Sequence, residues 1–231
     1  MEMARLPRLF LPNVPAHVTV RGNDRQAMFG ADGERLAFLD CLREAAEKYG
    51  LAIHAYVLMT NHVHLLSSGK EHRSLACTIQ AVGRKYVPRF NRRRQRVGTL
   101  WEGRHRATLV ESERYALACH RYIEMNPVRA AMVPEPAAFI WSSYLHYAHG
   151  KPDDLICPHE TYVALGSDDE ARRSAYRALC AEVLPAETVE RIREACHRGW
   201  PMGGEDFCRR VEDLTGRRAR PSTKGRPRKL K

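Results

Sequence analysis

Between Leu51 and Leu66 the chain holds two apolar runs separated only by Thr60-Asn61, which makes a tight turn from one strand into the next. Strand side chains alternate faces. In Met59-Thr60-Asn61-His62-Val63-His64-Leu65-Leu66, His62 and His64 therefore point one way while Val63 and Leu65 point the other. One face of the sheet presents two imidazoles side by side, and the other packs on a core. The arrangement suits a divalent metal on a rigid surface. A pair of core histidines satisfied by backbone partners is the structural alternative.

The segments around this turn read in a definite order. His17-Val18-Thr19-Val20-Arg21 alternates and closes at Gly22-Asn23, a first strand. Asp32 can cap a helix with Leu36, Leu39, Leu42, Ala46 and Tyr49 at helical spacing, which Gly50 stops. After the strands at 51–59 and 62–67, residues 73–91 read as a second helix carrying Leu75, Ile79, Val82 and Tyr86, with Pro88 expected to kink or end it. The basic loop Asn91 to Arg96 follows, then a fourth strand from about Arg104 to Val110. Ser112 caps a third helix over 113–125, which Pro127 must terminate. The order β-α-β-β-α-β-α predicts an α+β fold with a ferredoxin-like, four-stranded antiparallel sheet and its helices on one face. Trp141-Ser142-Ser143-Tyr144 is expected to be a packing segment. Residues 159–214 predict three or four short helices broken at Gly166, Pro185 and Gly199, and the basic tail Arg217 to Lys231 is expected to be disordered when free. The domain reading is a catalytic unit over 1–150, a helical extension over 151–215 and a tail over 216–231.

Charge points to the partner. The chain carries 38 Lys and Arg against 27 Asp and Glu, a net charge of +11. Residues 84–106 hold nine basic residues and one acid, and residues 217–231 hold eight basic residues and no acid; the remainder is mildly acidic. Two basic patches favour a polyanion, nucleic acid before membrane, although a solvated helix face and a loose tail would look the same. No run approaches the ~20 apolar residues of a membrane span, and Leu9-Phe10-Leu11 is too short for a signal peptide. Seven scattered cysteines without a Cys-x-x-Cys pair argue against a zinc knuckle or a disulfide framework. A cytoplasmic protein, associated with the nucleoid through its DNA, is the expectation.

The third helix offers a nucleophile. Tyr122 and Asn126 are four residues apart and share a face. A tyrosine hydroxyl beside a metal that polarises a phosphate can attack phosphorus and form a phosphotyrosine, and Asn126 can add an amide oxygen to the two histidines. Two imidazoles suit Mn, Zn or Ni, and an oxygen ligand extends the choice to Mg. Tyr122 as an ordinary half-buried helix aromatic is the alternative, and Asn126, preceding proline, sits at a loose helix end.

Thr60-Asn61-His62-Val63-His64-Leu65-Leu66, followed by Tyr122-Ile123-Glu124-Met125-Asn126-Pro127-Val128-Arg129-Ala130, resembles the single-tyrosine HUH transposases, and among them the REP-associated tyrosine transposases, domesticated relatives of small insertion-sequence transposases. Further matches are His17 to Asn23, Gly98-Thr99-Leu100-Trp101-Glu102-Gly103-Arg104 and Trp141 to Tyr144, so the resemblance covers about residues 10–150. It implies a ferredoxin-like sheet, paired histidines binding Mg or Mn (His62 and His64), a helix tyrosine (Tyr122) that cleaves single-stranded DNA to leave a 5′-phosphotyrosine and a free 3′-hydroxyl, and a third ligand at Asn126. Tyr115, on the same helix, is the fallback nucleophile. The family binds palindromic REP hairpins, and its REP-associated members are expected to act as monomers, whereas sister transposases are dimers that share active sites.

Recognition is assigned to basic residues: Arg21 and Arg104 near the strands, Arg92, Arg93, Arg94 and Arg96 after the second helix, and Lys224, Arg226 and Arg228 in the tail as a minor-groove or phosphate-binding arm. Trp101 and Phe90 are stacking candidates for exposed bases, with core packing as the alternative. The function expected is a metal-dependent single-strand DNA endonuclease and strand transferase. A non-catalytic protein that holds REP hairpins is the main alternative, and a rolling-circle initiator or relaxase the third.

Overall fold

The computed structural model describes residues 9–220. Four strands, β1 (Ala16–Arg21), β2 (Leu51–Leu58), β3 (His62–Gly69) and β4 (Arg106–Leu109), form one sheet in the order β2-β3-β1-β4, antiparallel throughout. The ferredoxin-like α+β expectation holds. α1 (Asp32–Tyr49) and α2 (Ser74–Arg93) cover one face. Val18, Val20, Val63 and Leu65 pack there against Phe38, Leu42, Ile79, Val82 and Tyr86, as strand alternation requires. A β-bulge between Ile53 and Ala55 shifts the alternation of β2, so Ile53 and Tyr56 both face α1 and α2.

The helices are not confined to one face, as the sequence had suggested. α3 (Ser112–Glu124) and α8 (Ala186–Arg198) cover the second face, where Ala55, Val57 and Leu66 meet Cys119, Tyr122, Ile123, Ile192 and Ala195. Both faces of the sheet thereby carry helices. The remaining helices are α4 (Asn126–Arg129), α5 (Tyr144–His149), α6 (Glu160–Val163), α7 (Asp169–Ala181) and α9 (Glu205–Thr215). The three or four helices expected between 159 and 214 are four, α6 to α9, with Pro185 at the start of α8 and Gly199, at φ +71°, capping its end.

Three local expectations shift. α1 buries Leu42 and Ala46 of the expected stripe together with Phe38, Cys41 and Ala45, whereas Leu36 is 55% exposed. The larger Phe38 sets the helix rotation. Pro88 does not end α2; the helix runs on to Arg93 because Tyr86 and Phe90, on either side of it, are both anchored in the core. The first half of the expected basic loop is thus helical. β4 is shorter than expected at both ends. Trp141 to Tyr144 does pack, its backbone joining β2 through Leu58 N–H to Trp141 O (2.9 Å).

A neutral polar chain links α3 to α5 and α7. Glu124 is fully buried, with oxygens 2.5 Å from Ser143 Oγ and 2.7 Å from Tyr176 Oη. Tyr176 Oη lies 2.5 Å from His120 Nδ1, and His120 Nε2 lies 3.0 Å from the carbonyl of His54. If Glu124 keeps its proton, every donor has an acceptor: the carboxyl donates to Tyr176, Tyr176 to His120, and His120 to the backbone. Burial pushes Glu124 up to about 8 and His120 down to about 3, which favours this neutral form.

The sign of the resulting pH dependence is fixed. Below about pH 4.5 the carboxyl is protonated folded and unfolded. Between 4.5 and about 8 only the unfolded chain ionises, so stability falls as pH rises and levels off above 8. Denaturant titrations of wild type and Glu124→Gln at pH 5, 7 and 9 should show wild type losing stability relative to the variant across that window. Parallel curves would contradict a buried neutral carboxyl.

Candidate active site on the second sheet face

The registry of β1 with its neighbours builds the floor of a cavity. Thr19 is paired with His64 on one side and with Arg106 on the other, and Arg21 is paired with His62. Because paired residues share a face, these side chains lie on the α3 and α8 face, opposite the Val18, Val20, Val63 and Leu65 core. They line a cavity of about 420 Å³ whose walls include Arg104, Tyr122, Asn126, Arg193 and Cys196. The alternation of β3 and the i,i+4 spacing of α3 bring His62, His64, Tyr122 and Asn126 to one place.

Each imidazole is held through one ring nitrogen. His62 Nδ1 lies 2.7 Å from Asn61 Oδ1. An amide oxygen only accepts, so Nδ1 carries the proton and Nε2 keeps its lone pair. His64 Nδ1 lies 2.9 Å from His17 Nε2 and 3.1 Å from Thr19 Oγ1, and His17 Nδ1 lies 2.8 Å from Cys196 Sγ. The rings of His62 and His64 stand 4.9 Å apart at 89°. Burial, followed by the nearby Arg21 charge, lowers His62 to about 4; burial, then His17 and His62, holds His64 well below the ordinary histidine range. Both are neutral at pH 7, the form that binds a metal. Among the described residues no group of three or more His, Cys, Asp or Glu is arranged to hold a metal. The Asn126 amide stands on the cavity wall. Its Nδ2 donates to the carbonyls of Tyr122 (3.0 Å) and Ile123 (3.3 Å) at the end of α3. Those bonds use the nitrogen, so Oδ1 is the atom that could coordinate a metal. Two imidazole nitrogens and one amide oxygen fit Mn, and Mg with added waters.

Tyr122 is 7% exposed, with its ring 5.7 Å from that of His17 and 6.1 Å from that of His64. The Arg129 guanidinium stacks 4.2 Å from the ring centroid and also donates to the Tyr122 carbonyl, which locks the helix end to its own tyrosine. Burial pushes the phenol up; Arg129 and Arg193 oppose it. Tyr115, the other tyrosine of α3, lies elsewhere, under Arg191 in a groove beside Trp200. Only Tyr122 of the two reaches the histidines.

The basic residues separate into groups. Arg21 and Arg104 line the cavity. Arg92, Arg93, Arg94 and Arg96 lie at the end of α2, away from its walls. Arg94 makes a bidentate pair with Glu34 (2.9 and 2.9 Å), whose carboxylate also accepts from the backbone of Gly30 and Ala31 at the start of α1. Arg94 thus joins the two helices. Arg96 donates to the Thr99 carbonyl, whereas Arg92 is exposed. Lys224, Arg226 and Arg228 lie outside the described residues. Phe90 is core, and Trp101 lies against Gly83, where an added Cβ would come within 2.8 Å of its ring. Neither aromatic is placed as an open stacking platform.

Sequence reasoning missed His17, Arg129, Arg193 and Cys196. The signal for His17 was present, since strand alternation puts it on the face of Thr19 and Arg21. Arg129 stood in the quoted motif without a role. Arg193 and Cys196 come from α8, which no local pattern ties to the sheet.

The IS200-like transposase family model matches residues 11–126 of the chain. A solved REP-associated tyrosine transposase bound to a REP hairpin is 14% identical, with a TM-score of 0.55, over 68% of this chain and 93% of that one; at that identity the likeness is one of fold. A putative transposase from Deinococcus radiodurans is 21% identical over 52% of this chain and 96% of that one, with a TM-score of 0.37. No curated protein matches. With half of its length in the family model, the chain belongs to the IS200-like transposase family.

Proposed function

We propose that the protein is a metal-dependent single-strand DNA endonuclease and strand transferase that acts on REP-type hairpin DNA through a 5′-phosphotyrosine on Tyr122. One observation carries the reading: Tyr122, His62, His64 and Asn126 face a single cavity within one chain. His62, His64 and Asn126 would hold Mg or Mn, which supplies charge neutralisation and positioning of the scissile phosphate. Tyr122 Oη attacks phosphorus, the P–O3′ bond breaks, and the departing 3′-oxygen leaves as a hydroxyl carrying the proton that the phenol gives up. Attack by a new 3′-hydroxyl on the phosphotyrosine reverses these bonds and joins strands.

Several features support the partner and state. Arg21, Arg104 and Arg106 line the cavity and suit a phosphate backbone, and a fold relative was solved on a REP hairpin. Arg92, Arg93 and Arg96, with Lys224, Arg226 and Arg228 of the tail, are proposed as outer phosphate contacts. A site whose nucleophile and metal ligands come from the same chain suits a monomer. Among the described residues no helix is long and apolar enough to cross a membrane; the proposed DNA substrate suits a cytoplasmic, nucleoid-associated protein.

Incubating the protein with a labelled REP single strand and Mn²⁺ should yield a covalent adduct that is absent in Tyr122→Phe and retained in Tyr115→Phe, with DNA affinity kept by both. Binding without adduct under Mn²⁺ and Mg²⁺ would leave only a DNA-holding protein. Mn²⁺ at 100 times its Kd should stabilise the folded chain by about 2.7 kcal/mol, read as a rise in thermal midpoint. His62→Ala and His64→Ala should each lose that rise, and an unchanged rise would place the metal elsewhere. Arg104→Ala should weaken DNA binding and reduce the slope of log K against log salt by about 1; an unaltered slope would remove Arg104 from the phosphate path.

A further inference from the structure

We infer that Arg193, on α8 of the C-terminal extension, is a catalytic residue that stabilises the Tyr122 oxygen as nucleophile in cleavage and as leaving group in strand transfer. The inference rests on the phosphotyrosine chemistry proposed above. α8 is not loosely attached. Its Ile192 and Ala195 are buried with Tyr122 and Ile123 in the core of the second sheet face. The Ala195 carbonyl accepts from Thr108 Oγ1 of β4 (3.0 Å), and Cys196 Sγ meets His17 Nδ1 of β1 (2.8 Å). These anchors fix both the rotation and the height of the helix over the sheet.

With that face turned inward, Arg193, three residues before Cys196, projects along the cavity wall to within reach of the Tyr122 hydroxyl. Glu190, one turn earlier, holds the guanidinium through Nη1 at 2.5 Å. Arg129 is the other arginine on this tyrosine, but it occupies the ring face and the backbone carbonyl. Arg193 is the cation at the reacting end.

A guanidinium at a phenol oxygen favours negative charge there. In cleavage the oxygen gives up its proton and bonds to phosphorus while the P–O3′ bond breaks; in transfer the P–Oη bond breaks and the oxygen leaves as phenolate before taking a proton. Both steps develop charge on Oη, so one preorganised donor serves both. A forked cation beside the tyrosine oxygen is also chemically suited to phosphate oxygens. Arg193 is exposed on its outer side, so its replacement removes no core packing.

The test measures single-turnover adduct formation on the REP strand with Mn²⁺ at saturating DNA, together with DNA affinity and thermal midpoint. Arg193→Gln should slow adduct formation by about 10²-fold with unchanged affinity and midpoint, and Arg193→Lys should recover part of the rate. Arg191→Gln, which removes a charge from the same helix beside Tyr115, should match wild type. An Arg193→Gln protein that forms adduct at the wild-type rate overturns the inference and leaves the proposed function standing. So does a rate loss accompanied by an equal loss of affinity, the mark of an ordinary backbone contact. If wild type itself forms no adduct, the proposed function falls and the inference falls with it.

Discussion

The position of one proton organises the site. His64 has two ring nitrogens, and only one can be turned to the cavity as a lone pair. His17 and Thr19 meet Nδ1, so a lone pair on Nε2 requires the proton on Nδ1, donated to His17 Nε2 or Thr19 Oγ1. In the first case His17 must carry its own proton on Nδ1 and direct it at Cys196 Sγ. In that case the tautomer of a candidate metal ligand on β3 is linked through β1 to a thiol on α8, and the pairing of β1 with β3 brings these groups together.

Through that contact the extension reaches the cavity. A ferredoxin-like sheet covered on one face leaves the second face exposed. The chain closes it with α3, which brings Tyr122, and with α8, which brings Arg193 and Cys196. Ile192 and Ala195 supply the burial that holds α8 down, at about 25 cal/mol per Å² of apolar surface removed from water. The same residues therefore provide packing energy and the alignment of the polar ones between them. Loosening α8 would lose both together.

The legible parts of the fold were those governed by short-range rules. Period-two alternation put His62 and His64 on one face, and 3.6 periodicity put Tyr122 over Asn126; neither needed knowledge of distant segments. The order of strands and helices was enough for the sheet. The failures have a common cause in tertiary packing. Pro88 reads as a helix stop, but Phe90 lies in the core and carries α2 past it. Arg94 reads as a free phosphate contact in an arginine run, yet the buried Glu34 sixty residues earlier claims it. For Trp101 the sequence leaves stacking and core packing open, and the slot at Gly83 decides for packing. The role of α8 was invisible because its partners, His17 and Thr108, lie about 180 and 90 residues away in sequence.

The electrostatics of the cavity follow from the same geometry. Arg21, Arg104, Arg106 and Arg193 line it, with Arg129 behind Tyr122; among the described residues that line it, Glu102 is the single carboxylate. Such a concentration of positive charge is costly unless an anion shares it. It also acts on the histidines: Arg21 helps to lower His62, and Arg129 and Arg21 contribute to lowering His64 after burial and the neighbouring imidazoles. The field that would draw in a phosphodiester therefore adds to the burial that keeps both imidazoles neutral. A cation entering between them meets repulsion from those arginines, which a bound phosphate would relieve. Metal and DNA should consequently bind with positive coupling, each strengthening the other by the same factor. If the site takes a metal as proposed, it would therefore load it best together with DNA.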